Sequence, residues 1–300
     1  MPRILVAAPD GMHAFDEGGR EAPAELAGRA VSSIVRDGAE LWAIVDRTEI
    51  WHAPDGGWHR VATLDGAQAT CIAMTDAIHV GSSGARLFRL DDGSLEPVAG
   101  FDDVEGRGDW YTPWGGPPDT RSMSEWGQDV YVNVHVGGIP HTADHGRTWS
   151  PTIDIDADVH QVATAEGLVL AAGARGLSVS GDRGATWRLR TDGLETRYCR
   201  AVAVCGDRVL VSASIGPRGG RAAVYRAGLE DGPFERCREG LPEWFDDNID
   251  SSCLDALNDG SYAAFGTGDG RVFGSGDGGT TWAEVATGLP AVRHLLVVPD

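Results

Sequence analysis

The stretch Ser180-Gly181-Asp182-Arg183-Gly184-Ala185-Thr186-Trp187 decides the fold, because the chain repeats its pattern twice more. The pattern [Ser/Thr]-x-Asp-x-Gly-x-Thr-Trp begins at residues 142, 180 and 275. The first interval is 38 residues (180 − 142) and the second is 95 (275 − 180), close to two periods. Repeats of this size, built from short strands, indicate a β-propeller.

Each residue of the pattern has a role in a tight turn. The aspartate accepts backbone N–H groups of the residues that follow it, and the glycine supplies backbone freedom at the corner. The tryptophan is a large apolar anchor that packs against neighbouring strands. The turn accounts for every residue of the pattern, so we interpret it as a folding device and not as a ligand site.

The pattern resembles the Asp-box, or BNR, repeat of the sialidase-like β-propeller superfamily. Weaker copies in the same phase lie at Ala53–Trp58 and Gly228–Phe234. In that family the box lies on the hairpin between the two outer strands of a blade, away from the central pocket. The resemblance implies an all-β fold and a structural role for the boxes. It extends over essentially the whole chain, which we interpret as a single domain of residues 1–300.

Composition excludes several classes of function. The formal net charge of −20 argues against nucleic acid and anionic membranes as partners. The chain has no lysine, so neither a Schiff-base lysine nor a phosphate-loop lysine can operate. Its five cysteines show no Cys-x-x-Cys pair, and the N-terminal residues lack the apolar stretch of a signal peptide. These features predict a cytoplasmic protein without a membrane anchor.

The strand-like apolar runs predict seven blades, with six or eight as the alternatives if one degenerate repeat is misread. Six blades occupy about residues 29–68, 69–117, 118–157, 158–197, 198–248 and 249–290. The remaining N-terminal strands, Ile4–Ala8, Gly11–Phe15 and a weak one near Glu25, join the C-terminal strand His294–Val298 in a seventh. Strands from both termini in one blade close the ring and remove exposed sheet edges.

Aligning the innermost strands predicts a polar ring at one mouth of the central channel. The first aligned position is polar in every blade, and equivalent strand positions share a face. Its occupants are Ser32, Thr70, Arg121, His160, Arg200, Ser252 and His294. The alternative interpretation is that they are ordinary solvent-facing residues at strand starts. Arginine is suited to bidentate capture of carboxylate or phosphate, so the ring favours an anionic small molecule as ligand.

Two connections add candidates to the same mouth. His135 follows the second strand of its blade, at a turn expected to open toward the ligand. The longest connection, residues 100–120, carries Trp110 and Trp114. Long loops on a rigid scaffold often carry function, and exposed aromatic rings suit stacking on a sugar. The alternative is a lid packed by its own aromatic side chains.

These residues favour an enzyme, a hydrolase or lyase acting on an anionic substrate. His135, His160 and His294 are the candidate catalytic residues, as general acids or bases or as ligands of zinc, copper or iron. Arg121 and Arg200 would anchor the substrate, with Ser32, Thr70, Ser252, Tyr198, Trp110 and Trp114 around it.

Two other functions stay open. The first is a non-catalytic binding or assembly module, in which Arg121 and Arg200 dock an acidic partner or peptide. The second is a sialidase-type glycosidase, in which Glu195 and Tyr198 would form the family's Glu–Tyr pair. A sialidase is expected to have an Arg-Ile-Pro segment near its start and an arginine triad. This chain lacks that segment, and its predicted ring contains two arginines.

Overall fold

The computed structural model describes residues 1–299 as seven antiparallel sheets, with almost no helix. They are the blades of a seven-bladed β-propeller, as predicted. In the blade built from both termini the spatial order is β2-β1-β27, so β1 pairs with both of the others. Its strands are β1 (Arg3–Ala8), β2 (Gly11–Asp16) and β27 (His294–Val298).

Each of the other six blades has four strands that pair in chain order. The first three contain β3 (Val31–Asp37), β4 (Glu40–Val45), β5 (Glu49–Ala53), β6 (His59–Thr63), β7 (Ala69–Met74), β8 (Ile78–Ser82), β9 (Arg86–Asp91), β10 (Ser94–Pro97), β11 (Thr120–Trp126), β12 (Asp129–Val134), β13 (Pro140–Thr142) and β14 (Ser150–Pro151). The next three contain β15 (Val159–Ala165), β16 (Leu168–Gly173), β17 (Gly176–Ser180), β18 (Arg188–Arg190), β19 (Tyr198–Cys205), β20 (Arg208–Ser214), β21 (Ala223–Gly228), β22 (Glu235–Arg236), β23 (Leu254–Ala256), β24 (Ala263–Gly266), β25 (Val272–Ser275) and β26 (Ala283–Ala286).

The three repeated stretches form the same hydrogen-bonded turn between the third and fourth strands of their blades. In one of them the Asp182 carboxylate accepts bonds from the Thr186 N–H (2.8 Å) and the Thr186 hydroxyl (2.7 Å). The Ser180 hydroxyl accepts from the Gly184 N–H at 2.8 Å, and the Trp187 indole donates to the Gly184 carbonyl at 3.1 Å. The other two turns, at residues 142–149 and 275–282, repeat these bonds. These hydrogen bonds are local and close the turn, which is the folding role predicted for the repeat.

The chain separates into two compact units, which we describe individually. The terminal unit contains Met1–Val31, Ala172–Leu177 and Leu189–Asp300, and the middle unit contains Ser32–Ala171 and Ser178–Arg188. One large apolar cluster, with Phe265 and Phe273 stacked at 5.0 Å, fills the terminal unit. Three smaller clusters fill the middle unit.

Two local features differ from the sequence prediction. The weak strand near Glu25 is reduced to two isolated antiparallel bridges to β2, Met12 with Glu25 and Phe15 with Glu21, and not a continuous ladder. The inner strand predicted to start at Ser252 begins two residues later, at Leu254. Ser252 has a left-handed backbone, with φ of 61°, inside a turn closed by the Cys253 N–H and the Asp250 carbonyl. That turn delays the strand.

The helices of residues 1–299 are single turns, α1 (Ala99–Asp102) and two 3-10 segments (Arg107–Asp109 and Ile155–Ala157). None of them has the length or apolar character to cross a membrane. The five cysteines, all within residues 1–299, are buried thiols that form no disulfide. Burial raises the pKa of Cys71 and of Cys199 to about 12, so these thiols remain protonated at neutral pH.

Candidate functional site

A β-bulge positions Arg121 in the middle unit. Thr120 pairs with Val134 and Ser122 pairs with Asn133, so Arg121 is an extra residue in β11. A bulge bends the strand locally and redirects the side chain of the extra residue. β7 has a corresponding register shift around Thr70, another residue of the predicted ring.

The redirected guanidinium contacts His135. Arg121 Nη2 lies 3.0 Å from His135 Nδ1. A guanidinium has only donors, so Nδ1 must accept this bond and the ring carries its proton on Nε2. The His135 backbone is fixed as well, because its N–H donates to the Asp119 carbonyl at 2.9 Å. Arg121 thereby sets both the orientation and the tautomer of this imidazole.

Asp158 lies between two buried imidazoles. One carboxylate oxygen is 3.6 Å from His135 Nε2, and the other is 3.6 Å from His160 Nε2. These separations are slightly too long for direct hydrogen bonds. Asp158 directly precedes β15 with a left-handed backbone, φ of 46°, which is uncommon for a residue other than glycine.

The electrostatics of the site keep Asp158 ionised. Burial raises the pKa of this carboxyl, but its interactions with His160 and His135 and the charge of Arg121 outweigh burial and lower the pKa overall. At Asp119 the balance is reversed. Burial raises the pKa of that carboxyl more than the charges of Arg121 and Arg47 lower it. Two nearby carboxyl groups therefore have pKa values displaced in opposite directions, a feature of acid–base sites.

The connection between β10 and β11 covers part of the site. The Trp114 ring lies 5.5 Å from the His135 ring, centroid to centroid, and is 68% exposed. Trp110 instead packs on Phe101 and under the guanidinium of Arg107. The sequence left two alternatives for this connection, a lid packed by its own aromatic side chains or an exposed aromatic surface. Trp110 fits the first alternative, and Trp114 fits the second.

Three polar residues complete the description of the middle unit. Asn133 is fully buried opposite the bulge, and neither polar atom of its amide has a hydrogen-bond partner within residues 1–299. The buried Ser32 hydroxyl likewise has none within that range. The Thr70 hydroxyl donates to the Thr120 carbonyl at 2.5 Å, so it braces the strand that carries Arg121.

The remaining predicted residues belong to the terminal unit. Two guanidinium nitrogens of Arg200 contact one oxygen of Asp250, with Nε at 2.9 Å and Nη2 at 2.7 Å from Oδ1. The Arg200 guanidinium also lies 5.8 Å from the Tyr198 ring. Asp250 thus neutralises Arg200. Burial lowers the pKa of His294 to about 4, although part of the residue remains accessible. Ser252 contributes its carbonyl, which accepts the Leu295 N–H. The complete ring draws on both units and stays a prediction.

The donor set does not provide a metal centre. His135 and His160 approach different oxygens of Asp158, so the two imidazoles do not converge on one point. Throughout residues 1–299, no three His, Cys, Asp or Glu side chains are arranged to hold an ion. We therefore derive no step through the zinc, copper or iron considered from the sequence.

Sequence reasoning missed Asp158 and Asn133. The signal for Asp158 was the Asp158-Val159-His160 triplet, which puts a carboxylate two residues before a predicted site histidine. Asn133 carried no comparable signal, because its place opposite Arg121 depends on the bulge. A one-residue register shift between strands cannot be read from composition or spacing.

Comparisons with known proteins define the fold alone. No family model matches the chain, and no curated protein matches it. Among solved structures, an ancestral GH74 enzyme has a TM-score of 0.65 and 14% identity over 85% of this chain, which spans 38% of that protein. YCF48 from Cyanidioschyzon merolae has a TM-score of 0.60 and 15% identity, covering 86% of each chain. A structure of YCF48 bound to D1 peptide has a TM-score of 0.55 and 14% identity, covering 85% and 81%.

The neighbours thus include both an enzyme and a peptide-bound protein on the same propeller fold. At these identities the shared fold does not transfer an activity, because one scaffold hosts unrelated functions. The side chains of this chain must therefore indicate its function.

Proposed function

We propose that the middle unit binds an anionic small molecule beside Arg121 and assists its hydrolysis or elimination by proton transfer. The observation that carries the proposal is the position of the Asp158 carboxylate, 3.6 Å from the Nε2 atoms of two buried histidines. An imidazole oriented by a carboxylate is a recurring arrangement in acid–base catalysis. The side chain of Asp158 is 25% exposed, so it is the member of the group that a substrate can reach.

The contacts suggest a division of roles. Asp158, ionised at neutral pH, accepts a proton from the substrate or from an attacking water, and His160 behind it shares that proton. His135 presents its Nε2–H, because Arg121 occupies Nδ1. The bond to His135 uses one of the five N–H donors of Arg121, whose positive charge attracts a carboxylate or phosphate. The exposed indole of Trp114 supplies a flat apolar surface for the rest of the ligand.

The experiment is a turnover screen with chromogenic anions. Wild-type protein is incubated with 4-nitrophenyl phosphate, sulfate and glucuronide, and release of 4-nitrophenol is followed at pH 7. We expect at least one of them to be turned over, and Asp158→Asn to slow that reaction by about 100-fold or more.

The matched control is Asp156→Asn, which removes an exposed carboxylate two residues away in the same connection. It should leave the rate within about twofold of wild type. If Asp158→Asn and Asp156→Asn retain equal rates, Asp158 has no part in the chemistry.

A specific arrangement in the terminal unit favours a second candidate, docking of an acidic peptide. Arg238 Nη2 lies 3.0 Å from a Glu195 carboxylate oxygen, with Arg236 and Arg221 at 3.5 and 3.8 Å from that carboxylate. Three guanidinium groups around one carboxylate leave local positive charge in an acidic chain. The guanidinium carbons of Arg221 and Arg236 also lie 4.5 and 3.8 Å from the Trp244 ring centroid.

This second candidate is tested by titrating a fluorescein-labelled penta-aspartate peptide into the protein at two salt concentrations. Docking predicts saturable binding that Arg221→Gln with Arg238→Gln removes and that Arg121→Gln leaves intact. The opposite pattern would assign anion recognition to the middle unit.

We also infer that the chain belongs among the Asp-box propellers. Support comes from the three turns at residues 142–149, 180–187 and 275–282, which share one hydrogen-bonding scheme. A cytoplasmic location remains a proposal that rests on sequence composition.

A further inference from the structure

Asn133, in the middle unit, is a fully buried residue whose amide lacks a protein partner. Its exposed fraction is 0%, and neither Nδ2 nor Oδ1 has a hydrogen-bond partner within residues 1–299. Buried polar atoms of native proteins are almost always hydrogen-bonded, either to the protein or to ordered water. The amide of Asn133 therefore requires a partner other than a protein group.

The register of β12 shows which way this amide points. Residues two apart on a strand share a face, so Asn133 points in the same direction as Tyr131. Tyr131 packs in an apolar cluster with Val159 and Val162 of β15. Val132, at the alternate position of β12, belongs to a different cluster. The side chain of Asn133 therefore faces β15.

Two contacts fix the position of Asn133 relative to β15. At the level of Asn133, its partner in the β11–β12 register is Ser122, whose hydroxyl accepts the Val162 N–H at 3.0 Å. Two residues later in the chain, His135 Nε2 lies 3.6 Å from Asp158 Oδ1. The amide thus faces the start of β15, close to the Asp158 carboxylate.

The Asp158 carboxylate also has a buried atom without a hydrogen bond. Its Oδ1 has no hydrogen-bond partner within residues 1–299, because the 3.6 Å separation from His135 Nε2 is too long for a direct bond. Arg121 on β11, His135 after β12 and His160 on β15 are the charged or titratable groups that act on this carboxylate. A buried, ionised oxygen needs a donor, and a water between the two residues supplies one while it satisfies the amide.

We propose that a buried water bridges the Asn133 amide and Asp158 Oδ1, which makes Asn133 a positioning residue for the proposed general base. Nδ2 of the amide donates to the water, and the water donates to the carboxylate, which only accepts. The bridge fixes the orientation of the carboxylate and favours its ionised form. The effect on turnover rests on the proposed function of Asp158, whereas the water site itself does not.

The test is a carbon-13 NMR titration of the Asp158 carboxyl group in the full chain, with the signal assigned by its loss in Asp158→Asn. Asn133→Leu keeps a side chain of similar shape without hydrogen-bonding atoms, so the pKa of Asp158 should rise by about 1. The control Asn258→Leu makes the same substitution at an exposed position and should leave that pKa unchanged. Thermal unfolding shows whether each variant folds. In the turnover assay, Asn133→Leu should move the acid limb of the pH–rate profile upward by the same amount.

A high-resolution crystal structure of the wild-type protein locates the bridge without a substrate and without a variant. We expect one water within hydrogen-bond distance of both the Asn133 amide and Asp158 Oδ1. A direct bond from the amide to another protein group, with no water between Asn133 and Asp158, would overturn the proposal. Equal pKa values of Asp158 in wild type and a folded Asn133→Leu variant would overturn it as well. If the water is present and the pKa rises but no 4-nitrophenyl anion is turned over, the water site is supported and the proposed function is wrong.

Discussion

The pH dependence of stability gives a quantitative test of His294, a residue predicted to be catalytic. Burial lowers the pKa of this imidazole to about 4 from an ordinary value of 6.5. The folded state therefore binds this proton less readily than the unfolded state. Above pH 6.5 the imidazole is neutral in both states. As the pH falls from 6.5 toward 4, the unfolded state takes up the proton first, so the free energy of unfolding decreases. At pH 5 the loss is about 2 kcal/mol, from 1.36 kcal/mol per pKa unit over the interval between 6.5 and 5.

The assay is urea unfolding of wild type and His294→Gln at pH 7.5 and pH 5. Glutamine does not titrate, so the variant should lose about 2 kcal/mol less than wild type between the two pH values. Burial lowers the pKa of His13, but its bonds to Asp10 and Glu21 outweigh that and raise it overall, so His13 shifts stability in the opposite direction. That contribution is common to both proteins and cancels. Identical pH dependence in the two proteins would refute a buried, neutral His294.

Three further predictions address the repeated turn and the middle-unit site. Ser180→Ala leaves the buried Gly184 N–H without its 2.8 Å acceptor, so it should lower the free energy of unfolding by about 1–3 kcal/mol. The control Ser150→Ala, at an exposed position, should change that free energy by less than about 0.5 kcal/mol. Urea unfolding measures both. Arg121→Met should weaken binding of the 4-nitrophenyl anion that is turned over by about 10–100-fold, measured as an increase in KM, and Arg121→Lys should restore only part of it. Since the pKa of Asp158 is lowered, the turnover rate should stay constant as the pH falls through the usual aspartate range and should decline only below that range. A decline in rate centred above pH 5 would assign the titration to another group.

The fold could be predicted from the sequence because local turn chemistry repeats. The aspartate and glycine of each turn, and the tryptophan beside them, are at fixed offsets, and these offsets set the phase of the three blades that contain the turn. Closure by β1 and β27 followed from strands left over at both termini. The weak strand near Glu25 was the exception, since two isolated bridges to β2 leave no periodic signal in the sequence.

The site could be predicted only in part. Strand phase brought Arg121 and His160 into one group, since equivalent positions in adjacent blades lie near each other, and the turn expected after β12 added His135. It could not reveal that Asp250 neutralises Arg200, because that pair joins residues 50 positions apart through a turn. The bulge at Arg121 depends on how β11 pairs with β12, so the residue pattern along β11 alone does not predict it.

The most direct test of the account is the location of a bound anion. A crystal structure of the Asp158→Asn variant with 4-nitrophenyl phosphate would show it. The account predicts the phosphate within hydrogen-bond distance of Arg121, with the phenyl ring against Trp114 and its ester oxygen next to residue 158. Phosphate bound instead among Arg221, Arg236 and Arg238 would contradict the central claim and assign anion recognition to the terminal unit.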